Sequence, residues 1–313
     1  MTVLRFDEQV VIVTGAGRGI GAAHASLLAA RGARVVVNDI GSAMDGAGAD
    51  RAPAARQAER IGLAGGTAVD DTSDIATPDG AEALIARAID TFGRVDAVVN
   101  NAGIYWTDTF PGTDPDALRR QLTLHIEGGF HVTRAAWPHL AAAGHGRVVM
   151  TTSSAALGSA AHTSYGTAKA GVIGLGRALA MAGAPLGIKV NIVAPMAMTR
   201  MMNAHTGEAE VPDDPGRDPS LVAPLVAVLC HRDCPSNGET YIGGMRRVTR
   251  LFLAETQGYV HPGLDLTPED LLGHWDTISD TGHHVLCTDT KSWSDANTRH
   301  IAAARSGAGS GPR

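Results

Sequence analysis

The chain is poor in cysteine, in long apolar runs and in excess basic charge, and each shortage excludes a class of protein. Three cysteines among 313 residues are too few for a disulfide framework and are typical of a reducing compartment. No apolar stretch approaches the roughly 18 residues that span a bilayer, and the N-terminus lacks a signal-peptide core. A formal net charge of -6 gives no sign of affinity for nucleic acid or anionic membranes. We therefore expect a cytoplasmic protein with no membrane insertion and no nucleic-acid partner.

Two of the cysteines lie close enough in sequence to be considered as metal ligands. Cys230, His231 and Cys234 carry thiol and imidazole groups that bind zinc, but their spacing is not a familiar zinc pattern. We expect no bound metal.

Short apolar strands alternate with helical segments along the chain, and 44% of the residues are hydrophobic. This order predicts an α/β fold in which helices cover both faces of a parallel sheet. We expect one doubly wound domain over residues 1–250, with ligands bound beyond the carboxyl ends of the strands. The predicted strands are 10–13, 34–39, 66–69, 95–100, 146–150 and 189–193. The predicted helices are 22–30, 52–62, 80–92, 116–143, 165–184 and 220–230.

A glycine-rich turn, TGAGRGIG, joins the first predicted strand to the first helix. Gly15, Gly19 and Gly21 let the backbone turn tightly and approach a pyrophosphate, whose charge the amides at the helix start stabilise. Asp39 ends the second strand, 18 residues after Gly21, close to the spacing expected of a group that binds the adenosine ribose. A carboxylate there repels a 2′-phosphate, although Arg18 lies near enough in sequence to soften that repulsion. The pattern therefore favours NAD over NADP.

Tyr165 and Lys169 lie four residues apart in a predicted helix, which places both side chains on one face, one turn apart. A free tyrosine titrates at about pH 10 and is a poor base at neutral pH. A nearby positive charge favours the phenolate and lowers the pKa toward the working range. We interpret the pair as a candidate acid–base catalyst.

Three motifs together resemble those of the short-chain dehydrogenase/reductase family: TGAGRGIG at 14–21, NNAG at 100–103 and YGTAK at 165–169, within a likeness that covers residues 3–244. The resemblance implies a Rossmann fold in which Tyr165 exchanges a proton with the substrate oxygen while NAD exchanges a hydride with its carbon. It also implies that Lys169 binds the nicotinamide ribose and lowers the pKa of the tyrosine. The residues expected to bind the cofactor are Gly15, Arg18, Gly19, Ile20, Gly21, Asp39, Asp71, Thr72, Asn101, Ala102, Gly103, Tyr165, Lys169, Pro195 and Thr199.

In this family a serine after the fifth strand orients the substrate carbonyl. The usual interval of 13 residues before Tyr165 lands on Thr152, whereas the end of the strand lands on Ser153. We prefer Ser153, because the strand is the rigid reference and a one-residue deletion in the following surface loop is easily tolerated. Ser154 is the next candidate, and each of these hydroxyls could instead bond the local backbone.

His125 stands where most members of the family have asparagine, at a point where the helix opens and a main-chain carbonyl holds a water of the proton relay. We predict His125 as a relay position, and we expect its imidazole, which titrates near neutrality, to alter the pH response. The surrounding residues 124–138 resemble the (3R)-hydroxyacyl-CoA dehydrogenase unit of peroxisomal multifunctional enzymes of type 2, as do 37–39 and 222–238. The resemblance implies a beta-hydroxyacyl-CoA substrate, with a bulky or steroid-like acyl group as one possibility.

Three alternatives stay open, because the likeness weakens over 155–163 and over 194–201, where Pro195-Met196 replaces the common Pro-Gly of the family, and because the serine is shifted and His125 replaces asparagine. They are a 3-oxoacyl-carrier-protein reductase, a free-alcohol or steroid dehydrogenase, and an NAD-binding sensor or scaffold without turnover.

The end of the chain is expected to form a C-terminal extension and a tail. Residues 251–304 would cover the substrate cleft, contact a neighbouring subunit or pack on the surface, and 246–255 are compatible with an amphipathic segment. Thr267 and Pro268 are typical of a helix cap and a first helical turn. Residues 305–313 are small, polar and rich in glycine, which predicts disorder. By resemblance alone, we expect a homodimer or a homotetramer.

Overall fold

The computed structural model describes residues 3–43, 46–198 and 214–307. They form two compact units, the first ending at Leu251 and the second beginning at Phe252.

A mostly parallel sheet organises the first unit. Its strands lie in the order β3-β2-β1-β4-β5-β6-β7-β8, and neighbouring strands are parallel except for β7 and β8. All six predicted strands are confirmed within a few residues, and the sheet has two further strands at one edge. The strands are β1 (Val10–Thr14), β2 (Arg34–Asn38), β3 (Thr67–Asp71), β4 (Ala97–Asn100), β5 (Arg147–Thr151), β6 (Lys189–Met196), β7 (Thr240–Gly244) and β8 (Arg247–Leu251).

Helices cover both faces of this sheet. Successive side chains of a strand point to opposite faces, and in β1 Val11 and Val13 join one buried cluster while Val10 and Ile12 join the other. The predicted doubly wound α/β fold is therefore confirmed. The helices are α1 (Gly19–Ala30), α2 (Ala52–Leu63), α3 (Pro78–Phe92), α4 (Pro115–Leu122), α5 (Gly129–Ala143), α6 (Thr163–Gly183) and α7 (Ala223–Cys230).

Two of the predicted helices differ in the structure. The helix expected over 116–143 is interrupted by one wider π-helical turn, Thr123–Gly128, between α4 and α5. The helix expected over 220–230 begins only at Ala223, after a short 3₁₀ turn at Pro219–Leu221.

The edge hairpin of β7 and β8 corrects the prediction of an amphipathic segment over 246–255. Met245 and Arg246 connect the two strands, and their φ angles of 51° and 60° lie in the left-handed region that a two-residue hairpin turn requires. Neither residue is one of the glycine, asparagine or aspartate residues that normally announce such a turn. The hairpin also adds an antiparallel edge to a sheet that the sequence predicts as parallel.

The second unit contains β9 (Ala254–Thr256), α8 (Pro268–Gly273), α9 (Trp275–Ile278), β10 (His284–Leu286) and α10 (Thr290–Gly307), and β9 pairs antiparallel with β10. The predicted cap is confirmed, because the hydroxyl of Thr267 accepts the N–H of Asp270 at 3.2 Å. Helix α10 continues to Gly307, and 308–313 lie outside the described residues. The disorder expected of 305–313 stays a prediction. The role of this extension stays a prediction.

The cysteine pair belongs to the core of the first unit. Cys230 and Cys234 are buried, and burial raises the pKa of the Cys230 thiol. The guanidinium of Arg147 donates to the carbonyl oxygens of His231 and Arg232 beside them. Among the described residues, no group of three or more His, Cys, Asp or Glu side chains could hold a metal ion, and no described helix could cross a membrane.

Candidate active site

A cavity of about 910 Å³ lies at the carboxyl ends of the parallel strands. Its wall includes residues that follow β1, β2, β4, β5 and β6, which is where an open α/β sheet binds its ligands. The structure thus brings together residues that are far apart in sequence. The predicted site residues on its wall are Gly15, Arg18, Gly19, Ile20, Gly21, Asp39, Asn101, Ala102, Gly103, His125, Ser153, Tyr165, Lys169 and Pro195.

The glycine turn is fixed against the loop that follows β4. The hydroxyl of Thr14 accepts the N–H groups of Asn101 and Ala102, each at 3.0 Å, and the Asn101 amide donates to the carbonyls of Thr14 and Gly15 at 3.0 and 3.2 Å. A Cβ on Gly21 would lie 2.3 Å from the Gly15 carbonyl oxygen. Glycine is therefore required at position 21 by the close packing of the turn itself. Thr14 is a site residue that the sequence does not single out.

Asp39 joins the same turn to the loop after β2. One carboxylate oxygen accepts the N–H of Gly17 and the other accepts the N–H of Gly41, both at 2.8 Å. These two bonds hold the carboxylate on the cavity wall, so its negative charge has a fixed position. The guanidinium of Arg18 lies 3.5 Å from the carbonyl oxygen of Gly41, whose N–H binds that carboxylate.

Two predicted cofactor-binding residues lie away from the cavity wall. The carboxylate of Asp71 turns toward β2 and accepts the side-chain amide of Asn38 at 2.7 Å and the N–H of Ser73 at 2.9 Å. Of the described residues that follow β3, Ser73, Asp74 and Ile75 line the cavity, whereas Asp71 and Thr72 do not. The cofactor contacts expected of Asp71 and Thr72 stay predictions. The predicted contact of Thr199 with the cofactor lies outside the described residues.

The geometry distinguishes the three candidate hydroxyls. Thr152 is buried, and its hydroxyl donates to the main-chain carbonyl of Lys169 at 2.6 Å. Ser153, the next residue, lies near enough to Tyr165 to oppose the rise in pKa of its phenol, and its oxygen accepts the N–H of Ala155 at 3.2 Å. Ser154 is exposed and begins a 3₁₀ turn. The arrangement favours Ser153, which agrees with the alignment on the end of β5.

Tyr165 and Lys169 both face the cavity from helix α6, and both side chains are buried. Burial raises the pKa of Tyr165 to about 12, although the hydrogen bond from Ser153 opposes that shift. Burial also lowers the pKa of Lys169 to about 7, and its ammonium donates to the Thr151 carbonyl at 2.9 Å. In the protein alone, burial thus dominates the pKa of Tyr165. The expectation that Lys169 stabilises the phenolate of Tyr165 stays a prediction.

His125 lies within the π-helical turn, with its ring edge-on to Tyr165 at a centroid distance of 5.6 Å. Its Nε2 donates to the Ile104 carbonyl at 2.9 Å, which leaves Nδ1 as the unprotonated nitrogen. Burial, and then the charge of Lys169, hold the pKa of His125 well below its ordinary value. In this structure burial therefore favours the neutral ring, and the role of His125 as a relay position stays a prediction.

Comparison with known proteins agrees with this site. A family model described as short chain dehydrogenase matches residues 9–211. A short-chain type dehydrogenase/reductase of Mycobacterium tuberculosis is 41% identical over 278 residues, which cover 88% of this chain and 95% of the relative. This chain belongs to the short-chain dehydrogenase/reductase family.

Two further proteins are similar to this dehydrogenase. The peroxisomal multifunctional enzyme type 2 of Mus musculus is 38% identical over 285 residues, which cover 88% of this chain but only 37% of that enzyme. The crystal structure of a short chain dehydrogenase from Mycobacterium avium superposes with a TM-score of 0.73 at 35% identity, covering 88% of this chain and 97% of that one. The protein is therefore an oxidoreductase that acts on CH–OH groups with a nicotinamide cofactor.

The residues of this dehydrogenase fit such a cofactor. The glycine turn leads directly into α1, whose first amides can hold a pyrophosphate, and Asp39 presents fixed carboxylate oxygens that can accept ribose hydroxyls. Lys169 lies on the wall of the same cavity, with its Nζ 5.6 Å from the centroid of the Tyr165 ring.

Tyr105 and His162 also line the cavity of the dehydrogenase, and the sequence reasoning missed both. The Tyr105 hydroxyl lies 2.6 Å from His162 Nε2, and the two rings pack near the ring of Tyr165. A signal did exist in the sequence, because Tyr105 lies two residues after the NNAG motif and His162 precedes Tyr165 by three residues. Their contact depends on the docking of two distant loops, which no local pattern reports.

Proposed function

We propose that this dehydrogenase interconverts a secondary alcohol and a ketone with NAD, and that its substrate is a (3R)-hydroxyacyl-CoA or the corresponding 3-ketoacyl-CoA. The observation that carries this proposal is the meeting of Ser153, Tyr165 and Lys169 on the wall of a cavity that also holds the Asp39 carboxylate. Similarity to enzymes named peroxisomal multifunctional enzyme type 2 supports the thioester. A cavity of about 910 Å³ has room for a bulky acyl group beside a cofactor.

The preference for NAD rests on Asp39. Both of its oxygens are tied to backbone N–H groups, so the carboxylate cannot swing away from an incoming 2′-phosphate. The like charges would repel at short range. The neighbouring Arg18 guanidinium reduces this repulsion but does not remove the fixed negative charge.

The chain's own groups define the proton steps. When bound, the nicotinamide ring supplies or receives the hydride. In reduction, Tyr165 is protonated because burial holds its pKa at about 12, so its hydroxyl can donate a proton to the developing alkoxide while Ser153 donates a hydrogen bond to the same oxygen. In oxidation the phenolate of Tyr165 accepts the hydroxyl proton, and its small population at neutral pH predicts an oxidation rate that rises with pH. The protonated form of Lys169 stabilises that phenolate.

The proposal also includes a location and an oligomeric state. A cytoplasmic location follows from the reducing conditions that three cysteines suit, although relatives are named as peroxisomal enzymes. A homodimer or homotetramer follows from the family's use of the helices that correspond to α4, α5 and α6.

The experiment is an absorbance assay at the reduced-nicotinamide band. The purified protein is incubated with NAD or NADP and with three substrate groups: (3R)-hydroxyacyl-CoA esters, free hydroxysteroids and simple secondary alcohols. We expect NAD-dependent turnover of the thioesters. No turnover of any thioester would refute this substrate class, and turnover of a steroid or a simple alcohol instead would assign the alternative.

Tyr165→Phe identifies the catalytic phenol and tests for a sensor without turnover. The variant should lose most turnover and keep its affinity for NAD, because only the hydroxyl is removed. Tyr241→Phe is the matched control, since Tyr241 lies on β7 and packs against the core of the first unit. A wild-type protein that binds NAD but turns over no member of the panel would support the sensor.

A further inference from the structure

The loop 101–114, which follows β4, is bonded to the start of α6 through Asp108. The main chain of Asp108 pairs with that of His162 in an isolated parallel bridge. In that bridge the N–H of Asp108 donates to the Ala161 carbonyl at 3.1 Å, and the N–H of Thr163 donates to the Asp108 carbonyl at 3.2 Å. The loop is therefore fixed to the first residue of the helix that carries the proposed catalytic phenol.

The side chain of Asp108 caps this helix. One oxygen of its carboxylate, Oδ1, accepts the N–H of Ser164 at 3.0 Å. The first amides of a helix have no acceptor within the helix, and an aspartate oxygen is among their preferred partners. The first turn of α6 contains no acidic residue of its own. The carboxylate that caps α6 therefore comes from a loop that is distant in sequence.

The cap lies directly before the catalytic phenol in the chain. Ser164 is fully buried, and Tyr165 is the next residue. A further bond joins the loop to the same turn, because the hydroxyl of Thr163 accepts the N–H of Phe110 at 3.1 Å. A shift of the loop would break bonds to two consecutive residues, Thr163 and Ser164. The backbone position of Tyr165 thus depends on the loop.

The same loop is bonded to the cofactor turn near its other end. The N–H groups of Asn101 and Ala102 donate to the hydroxyl of Thr14, where the glycine turn begins. Asp108 follows Ala102 by six residues, so one short segment connects the glycine turn with the start of α6. Asp108 is not among the described residues that line the cavity. Its influence on the reaction must therefore pass through Ser164 and the residue beside it.

We propose that Asp108 is a positioning residue for hydride transfer, and that its cap holds Tyr165 in place relative to the cofactor turn. This inference rests on the proposed role of Tyr165 and adds a residue that acts through it. Placement matters, because displacing a reacting group by about 1 Å can lower the rate about a hundredfold. The cap acts through the position of Oδ1, so an uncharged side chain with an oxygen at the same place should replace it.

Three variants of Asp108 separate the geometry of the cap from its charge. Asp108→Asn keeps an acceptor oxygen and removes the charge, Asp108→Glu keeps the charge and displaces the carboxylate by one methylene, and Asp108→Ala removes both. Each protein is saturated with NAD and mixed, in excess, with the panel substrate that the wild type oxidises fastest. The readout is the first-order rate constant of NADH formation in this single turnover. With folded protein in excess, a misfolded fraction does not change that rate constant.

We expect Asp108→Ala and Asp108→Glu to lower the rate constant about tenfold, and Asp108→Asn to keep most of it. The affinity for NAD, measured by calorimetry, should not change, because Asp108 lies off the cavity wall. Asp114→Ala is the matched control. Asp114 caps α4 in the same way, by accepting the N–H of Asp116 at 3.0 Å. This control should lose stability through its missing cap and keep the rate constant.

Two results would overturn the inference and leave the proposed function standing. One is an unchanged rate constant in Asp108→Glu and Asp108→Ala. The other is a loss in Asp108→Asn that Asp108→Glu does not share, which would assign the role to the charge. If Asp108→Ala yields no folded protein, the comparison of Asp108→Asn with Asp108→Glu decides. A wild-type protein that turns over no member of the panel would overturn both the inference and the proposed function.

Discussion

Replacing Lys169 by methionine should change how the stability of the protein depends on pH. Lys169 is buried, and burial lowers its pKa from 10.5 to about 7. Between those two values the unfolded chain binds a proton that the folded chain has released. Unfolding therefore becomes less favourable as pH rises, because stability increases wherever the unfolded state holds more protons. Methionine has a similar shape and no titratable group, so Lys169→Met should lack this contribution.

The size of the effect follows from the two pKa values. The free energy of unfolding of the wild type, relative to that of Lys169→Met, should rise by about 2 kcal/mol between about pH 7 and pH 9. The comparison uses the protein without added cofactor, at one protein concentration, and measures urea unfolding by circular dichroism at both pH values. Contributions from the other titrating groups cancel between the two proteins.

A matched control is Lys189→Met. Lys189 also donates to a backbone carbonyl, that of Cys234 at 2.6 Å, but it lies outside the cavity wall. The Lys189→Met variant reports any general effect on the free energy of unfolding of replacing a lysine by methionine. If the difference between the wild type and Lys169→Met were the same at both pH values, burial would not destabilise the Lys169 ammonium. The account of its partial charge at neutral pH would then be wrong.

Three further variants test the cofactor site and the relay position. Gly21→Ala should abolish NAD binding measured by calorimetry, because the added Cβ would lie 2.3 Å from the Gly15 carbonyl oxygen. Gly174→Ala is the control, because its added Cβ would have no atom within 4 Å. This control should bind NAD normally and have a higher melting temperature, since alanine favours a helix more than glycine does. Asp39→Asn should lower the ratio of kcat/KM for NAD to that for NADP about tenfold, since a like charge is removed; an unchanged ratio would contradict the role of Asp39. His125→Asn should leave the pH dependence of kcat/KM around neutrality unchanged, because the ring is already neutral there; a changed dependence would show that the ring titrates.

Structural features that depend only on residues close together in the sequence could be predicted well. The glycine turn requires only a strand, a tight bend and a helix start within about a dozen residues. The spacing of Tyr165 and Lys169 fixes their common face once the segment is helical, and α6 confirms that helix. The six parallel strands follow from short apolar runs, whereas the β7–β8 hairpin was missed because Met245 and Arg246 carry no turn signal.

The choice among neighbouring hydroxyls needed the structure. Thr152 and Ser153 are adjacent, and the sequence gives opposite answers depending on whether one counts from Tyr165 or from the end of β5. In the fold, Thr152 turns inward to the Lys169 carbonyl and Ser153 turns to Tyr165. The direction of a side chain beyond a strand depends on the register of that strand with its neighbours, which no spacing rule contains.

The sequence by itself determined the α/β fold, the cofactor turn and the pair Tyr165 and Lys169, because each depends on residues a few positions apart. Only the tertiary structure decided the pKa values of Tyr165 and Lys169 and which residues line the cavity. The pKa of Tyr165 rises instead of falling because burial depends on everything packed around it. The contact of Tyr105 with His162 joins loops that are 57 residues apart, and it exists only because the strands before them end at the same edge of the sheet.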